Sequence, residues 1–230
     1  MPSLPYREQV LRLREDAIVE AVNRLLVSKG YDLMTVDEVA AEAGLAKASL
    51  YKHFTSKEEL AAAAMVRVLG RALAHVAAQQ ESAPAASALL RIELVLRWTL
   101  RVQLDGEMPS LPAQNSRLTA ALRAHKVYMD RLIELSEVLG LWIHAAQAAG
   151  DIDPDLPAEL VLYTLFARAC DPVLGLLKAA GQHSDGQIIE WLVGTTLRGL
   201  AGPPRAGARR AAVRSSPQAL AGTRRKARAT

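Results

Sequence analysis

Throughout this chain apolar residues recur at helical spacing, and no stretch alternates apolar and polar residues as a half-buried strand would. An all-α fold is therefore expected. Caps and breakers divide it into about nine helices, over roughly 7–29, 36–43, 47–54, 57–81, 85–104, 116–124, 126–149, 158–180 and 185–200. In the first, Val10, Leu13, Ala17, Ala21 and Leu25 form one stripe, and Gly30 is placed to end it. Thr35 and Glu38 have the spacing of a capping box, as do Ser56 and Glu59. Pro172 is expected to kink the 158–180 helix, beside an ion pair between Arg168 and Asp171 three residues apart. Gly106, Pro109 and Pro112 mark a loop.

Charge separates the end of the chain from the rest. The net charge is +4, yet the last thirty residues hold eight basic residues and no acid, so the first 200 carry 20 basic against 24 acidic residues. Residues 201–230 read as a basic tail too poor in apolar residues to fold. The folded part is not basic overall, and a nucleic-acid contact must come from a local patch. The richest apolar stretch, 60–78, is broken by Arg67 and Arg71, so no membrane span is expected. The start of the chain has no signal-peptide character, and the single cysteine, Cys170, excludes an intrachain disulfide framework. Together these point to a cytoplasmic protein.

The stretch "GLAKASLYKHFTSKEEL", residues 44–60, supplies the local patch. At 100° per residue, Leu50 and Phe54 point toward the first two helices. Ala48, Ser49, Lys52 and His53 lie across the opposite side, flanked by Lys47 and Tyr51. Small residues let a backbone approach the major groove, and donors meet base edges and phosphates. Two short helices joined by "AGLA" have the helix-turn-helix spacing. Tyr51 is read as a phosphate contact rather than core. His53 is read as a contact, with a structural role at the helix end as the alternative.

The run "TVDEVAAEAGLAKASLYKHFTSKEEL" resembles the DNA-binding domain of the tetracycline-repressor (TetR) family of bacterial transcription regulators, over roughly residues 8–60. The resemblance implies a three-helix DNA-binding domain, taken as 1–56, and a larger helical ligand-binding and dimerisation domain, 57–200. It also implies that Lys47, Ala48, Ser49, Tyr51, Lys52 and His53 face DNA, while Thr35 and Lys57 reach phosphates. Ala46 departs from the hydroxyl residue common before the recognition helix, a loss of about 1 kcal/mol of capping.

Beyond residue 60 the resemblance covers only the plan. Trp98, Arg101, Met108, His125, Tyr128, Trp142 and Phe166 are candidate pocket residues, being large or polar on otherwise greasy helices. Arg101 also belongs to a strip with Glu93 and Arg97 at four-residue spacing, which reads as a salt-paired solvent face. The histidines lack paired metal-ligand spacing, so neither metal nor cofactor is expected. Cys170 reads as a packed residue. The expected function is a ligand-responsive repressor that binds double-stranded operator DNA and a small-molecule effector. It is expected to act as a homodimer through 158–200, whose apolar residues point in every direction. The alternatives are an all-helical enzyme, for which no catalytic motif is visible, and a constitutive architectural DNA-binding protein, which would not need so large an apolar second domain.

Overall fold

The computed structural model describes residues 5–109 and 116–202, so the basic tail read from 201 onward lies almost wholly outside the described residues. Within them the chain forms α1 (Tyr6–Leu33), α2 (Val36–Glu42), α3 (Lys47–Leu50), α4 (Lys57–Ser82), α5 (Ala88–Leu104), α6 (Ser116–Ala124), α7 (Lys126–Ala149), α8 (Ala158–Ala167), α9 (Pro172–Ala180) and α10 (Asp185–Leu200). The fold is all-α. A single isolated bridge, Ile152 to Ala201, ties the end of α10 to the turn after α7, and the Asp153 N–H donates to Leu200 O at 2.9 Å.

Local chemistry explains most boundaries. Gly30 interrupts α1 with φ 76° and ψ 170°, a conformation essentially restricted to glycine, and the chain turns there to bury Tyr31 and Met34. The Thr35–Glu38 capping box starts α2 in full. At α4 the box is modified: Ser56 accepts from the Glu59 N–H, but the Glu59 carboxylate accepts from the backbone and hydroxyl of Thr55. The expected 158–180 helix is two helices joined by a 3₁₀ turn at Arg168–Cys170. Pro172 takes the first position of α9, where its missing N–H costs nothing, and the buried Asp171 caps α9 while pairing with Arg168.

Two large cores share α4. The first packs Ile18, Val22 and Leu26 of α1 on Val39, Leu50 and Phe54, and closes on Leu60 to Ala64 of α4 and Leu118 and Leu122 of α6. The second gathers Leu69, Ala72 and Val76 of α4 with Leu135, Leu139 and Ile143 of α7 and Val161 of α8. A third, smaller core joins α5 to α9 and α10 through Leu96, Leu100, Leu174, Ile188 and Leu192. The expected α1 stripe is shifted. Leu13 is 69 % exposed, and burial begins at Ile18, because α4 and α2 cover only the C-terminal half of α1.

Two segments, Lys57–Ser82 and Ala158–Ala180, are long and apolar enough to cross a membrane by length and composition, a test that buried core helices also pass and that does not by itself indicate a membrane protein. The first spends its apolar residues on the two large cores.

Candidate DNA interface and ligand cavity

α3 is anchored from inside and open outside. Leu50 is fully buried and Phe54 nearly so, whereas Lys47, Ala48, Tyr51 and Lys52 are exposed and Ser49 is half-buried. The helical bonds continue past Leu50, with Phe54 N–H reaching Leu50 O at 3.0 Å. Ala46 occupies the cap position without a side-chain bond, as its side chain requires.

The flanking cations are held in different ways. Lys47 lies 2.8 Å from the Asp37 carboxylate of α2, and this hydrogen bond holds its ammonium above the usual lysine range. Lys57 donates to Asp32 O at 3.2 Å and sits 4.5 Å from the Tyr31 ring centroid, so its charge stays at the turn between α1 and α2. Thr35 spends its hydroxyl within the capping box, accepting from the Glu38 N–H and donating to the Glu38 carboxylate. His53 differs from the rest of the set. Its side chain is only 9 % exposed, and its Nδ1 lies 3.4 Å from a Glu15 carboxylate oxygen of α1.

Behind this domain, α4, α5, α7, α8 and the loop before residue 110 enclose an apolar cavity of about 300 Å³. Trp98, Met108, Tyr128 and Phe166 of the expected pocket set line it. The other three do not. Arg101 is exposed on the outer side of α5, His125 caps α7 by accepting from the Tyr128 N–H at 3.2 Å, and Trp142 is buried with the Arg91 guanidinium 5.6 Å from its ring centroid. Most of the wall is aliphatic, supplied by residues such as Met65, Val68, Ile92, Leu132 and Leu165. Thr99 and Cys170 also line it. Cys170 is exposed in the 3₁₀ turn rather than packed in a helix, because the chain leaves the α8 axis just before it. Among the described residues no three His, Cys, Asp or Glu gather as a metal set.

Comparisons with known proteins agree with this architecture. A family model for bacterial regulatory proteins of the tetR family matches residues 18–64, which contain α2 and α3 whole. Uncharacterised HTH-type transcriptional regulators of Mycobacterium tuberculosis and Mycobacterium bovis are 38 % identical over 160 residues, covering 66 % of this chain and 77 % of theirs. Among solved structures, the fatty acid degradation regulator FadR from Bacillus halodurans superposes with a TM-score of 0.64 at 16 % identity, covering 83 % of this chain and 97 % of its own. The ketosteroid transcriptional regulator KstR2 of Mycobacterium tuberculosis gives 0.61 at 19 % identity, covering 83 % and 96 %. FadR from Bacillus subtilis, in complex with stearoyl-CoA, gives 0.59 at 16 % identity, covering 80 % and 98 %. This chain belongs to the TetR family of DNA-binding, helix-turn-helix transcription regulators.

Proposed function

We propose that the protein is a ligand-responsive repressor that binds a palindromic operator as a homodimer and releases it when an apolar effector fills the cavity. The observation that carries this reading is the continuity of α4, whose first residues pack under the α3 domain and whose middle walls the cavity. Residues 1–56 act as the DNA-binding unit and 57–200 as the effector and dimerisation unit. Lys47, Ala48, Ser49, Tyr51 and Lys52 face the major groove and its phosphates. Thr35 and Lys57 stand at the helix starts beside the backbone, and His53, braced on Glu15, fixes the end of α3 against α1.

Dimerisation through α8–α10 follows from apolar side chains that one protomer leaves uncovered, including Leu160, Tyr163, Val173, Leu176 and Trp191. A two-fold axis would set two α3 helices about 34–36 Å apart, one DNA turn, or a multiple of it. An effector shifts this state only by binding the DNA-bound and DNA-free forms with different affinity. The similarity in fold to a ketosteroid regulator and to a stearoyl-CoA complex supports an effector with a large apolar part. Such a regulator works in the cytoplasm and carries no catalytic function.

The test is binding of the full chain to the DNA upstream of its own gene, measured as a function of salt and of added apolar ligands. Specific binding of a palindromic segment, weakened by a ligand that occupies the cavity, is the expected result. Failure to discriminate that DNA from a scrambled duplex would overturn the reading.

A further inference from the structure

Among the described residues, the cavity wall contains no charged side chain and no histidine. The wall residues that carry a polar side-chain atom are Trp98, Thr99, Tyr128 and Cys170. Thr164, Thr195 and Thr196, which also sit on helices, donate their hydroxyls to the carbonyl four residues back at 2.8, 2.8 and 2.6 Å. Among the described residues Thr99, in the middle of α5 and only 9 % exposed, makes no such bond, and the Tyr128 hydroxyl has no hydrogen-bond partner. Both hydroxyls are therefore available as donors to a molecule in the cavity.

These facts decide what the cavity admits. A carboxylate or phosphate placed here would lose its hydration and find no cation among the described wall residues. A carbonyl or ether oxygen would find two hydroxyl donors, and the rest of the molecule would meet Leu, Ile, Val and Met side chains. We infer that the effector enters the cavity as an uncharged molecule, an apolar body carrying a hydrogen-bond-accepting oxygen such as that of an ester, ketone or lactone, held by Thr99 and Tyr128. This inference rests on the reading of the cavity as the effector site. It separates this protein from a regulator whose effector lodges a carboxylate or a coenzyme A headgroup in the cavity.

The experiment is calorimetric titration of the full chain at pH 7.5 with methyl octanoate, octanoate and octanoyl-CoA, three probes sharing one chain length. The ester is expected to bind at least tenfold more tightly than the other two. The near-isosteric variants Thr99→Val and Tyr128→Phe, combined, should lose about tenfold for the ester while melting within a few degrees of the parent. Equal or tighter binding of octanoate or octanoyl-CoA would overturn the inference, as would unchanged ester affinity in the double variant or no binding of the ester. Operator titration on the same preparations keeps the two readings apart. An ester that binds but does not release DNA contradicts the regulatory reading alone. DNA release driven by octanoate or octanoyl-CoA rather than the ester contradicts the neutral-effector inference alone.

Discussion

Asn23 of α1 donates its side-chain amide to the backbone carbonyl of Glu107 at 3.2 Å, joining residues 84 positions apart. The Glu107 carboxylate pairs with Arg71 of α4, and a Cβ placed on the neighbouring Gly106 would lie 3.8 Å from Val27 Cγ1. The next two residues, Met108 and Pro109, line the cavity. Residues 106–109 thus touch the α1–α3 domain at one end and the cavity at the other.

Asn23→Ala should leave the fold intact, because one net hydrogen bond contributes only about 0.5–1.5 kcal/mol. It should reduce the factor by which effector weakens operator binding by about three- to tenfold, within the usual size of coupling energies. Operator titrations with and without saturating effector measure that factor. An unchanged ratio would place the coupling elsewhere.

Tyr51→Ala and Lys52→Ala should each weaken operator binding without altering helicity, since both side chains are exposed beyond the Leu50–Phe54 anchor. The loss expected for a base contact is about 1–3 kcal/mol with relaxed sequence preference, and a phosphate contact should weaken all sequences alike. Fluorescence anisotropy against the operator and a one-base variant distinguishes the two.

Dimerisation is tested at Leu176, which is 71 % exposed, and at Leu192, which is 6 % exposed in the core between α5 and α10. Leu176→Glu should give folded monomers on sedimentation and a sharp loss of operator affinity. Leu192→Glu should instead lower the melting temperature, because the charge is buried within one protomer. A dimer unchanged by Leu176→Glu would move the interface off α9.

Glu38 sets a pH dependence. Its hydrogen bond to Lys29, and then those to the Thr35 backbone and hydroxyl, lower its pKa from 4.5 to about 2. A depressed carboxylate contributes stability that is complete above its unfolded value and is lost as pH falls through the folded one. The α1–α2 joint should therefore weaken between about pH 4.5 and pH 2. Glu38→Gln can keep the capping box but not the ion pair with Lys29. Its acid-unfolding curve should be flatter than the parent's over that window. Parallel curves would contradict the assignment.

How much of this was legible beforehand depended on sequence distance. The Thr35 cap, the Gly30 break and the Arg168–Asp171 pair are made by residues within a few positions of each other, and their spacing announces them, whereas Pro172 starts a separate helix where the sequence implied only a kink. The inward Leu50 and Phe54 followed from helical geometry alone. His53 could not be placed that way, because Glu15, its partner, lies 38 residues earlier on α1. Arg101 and Trp142 stand out in the sequence for size and polarity, but which residues face the cavity depends on how α5 and α7 rotate against α4, which no single helix encodes. Thr99 and Cys170 are inconspicuous in the sequence for the converse reason. A threonine in a greasy helix and a lone cysteine carry no pattern until the opposing walls are known.

The sharing of α4 between the two large cores has a mechanical consequence. Its 26 residues form a rod about 39 Å long. A tilt of about 5° at the end farther from α3, small enough for side chains to absorb by sliding, carries the other end through about 3.4 Å. That is one base-pair step of B-form DNA, so under the proposed regulation an effector the size of this cavity need move its surroundings very little to put α3 a whole step out of register with its groove.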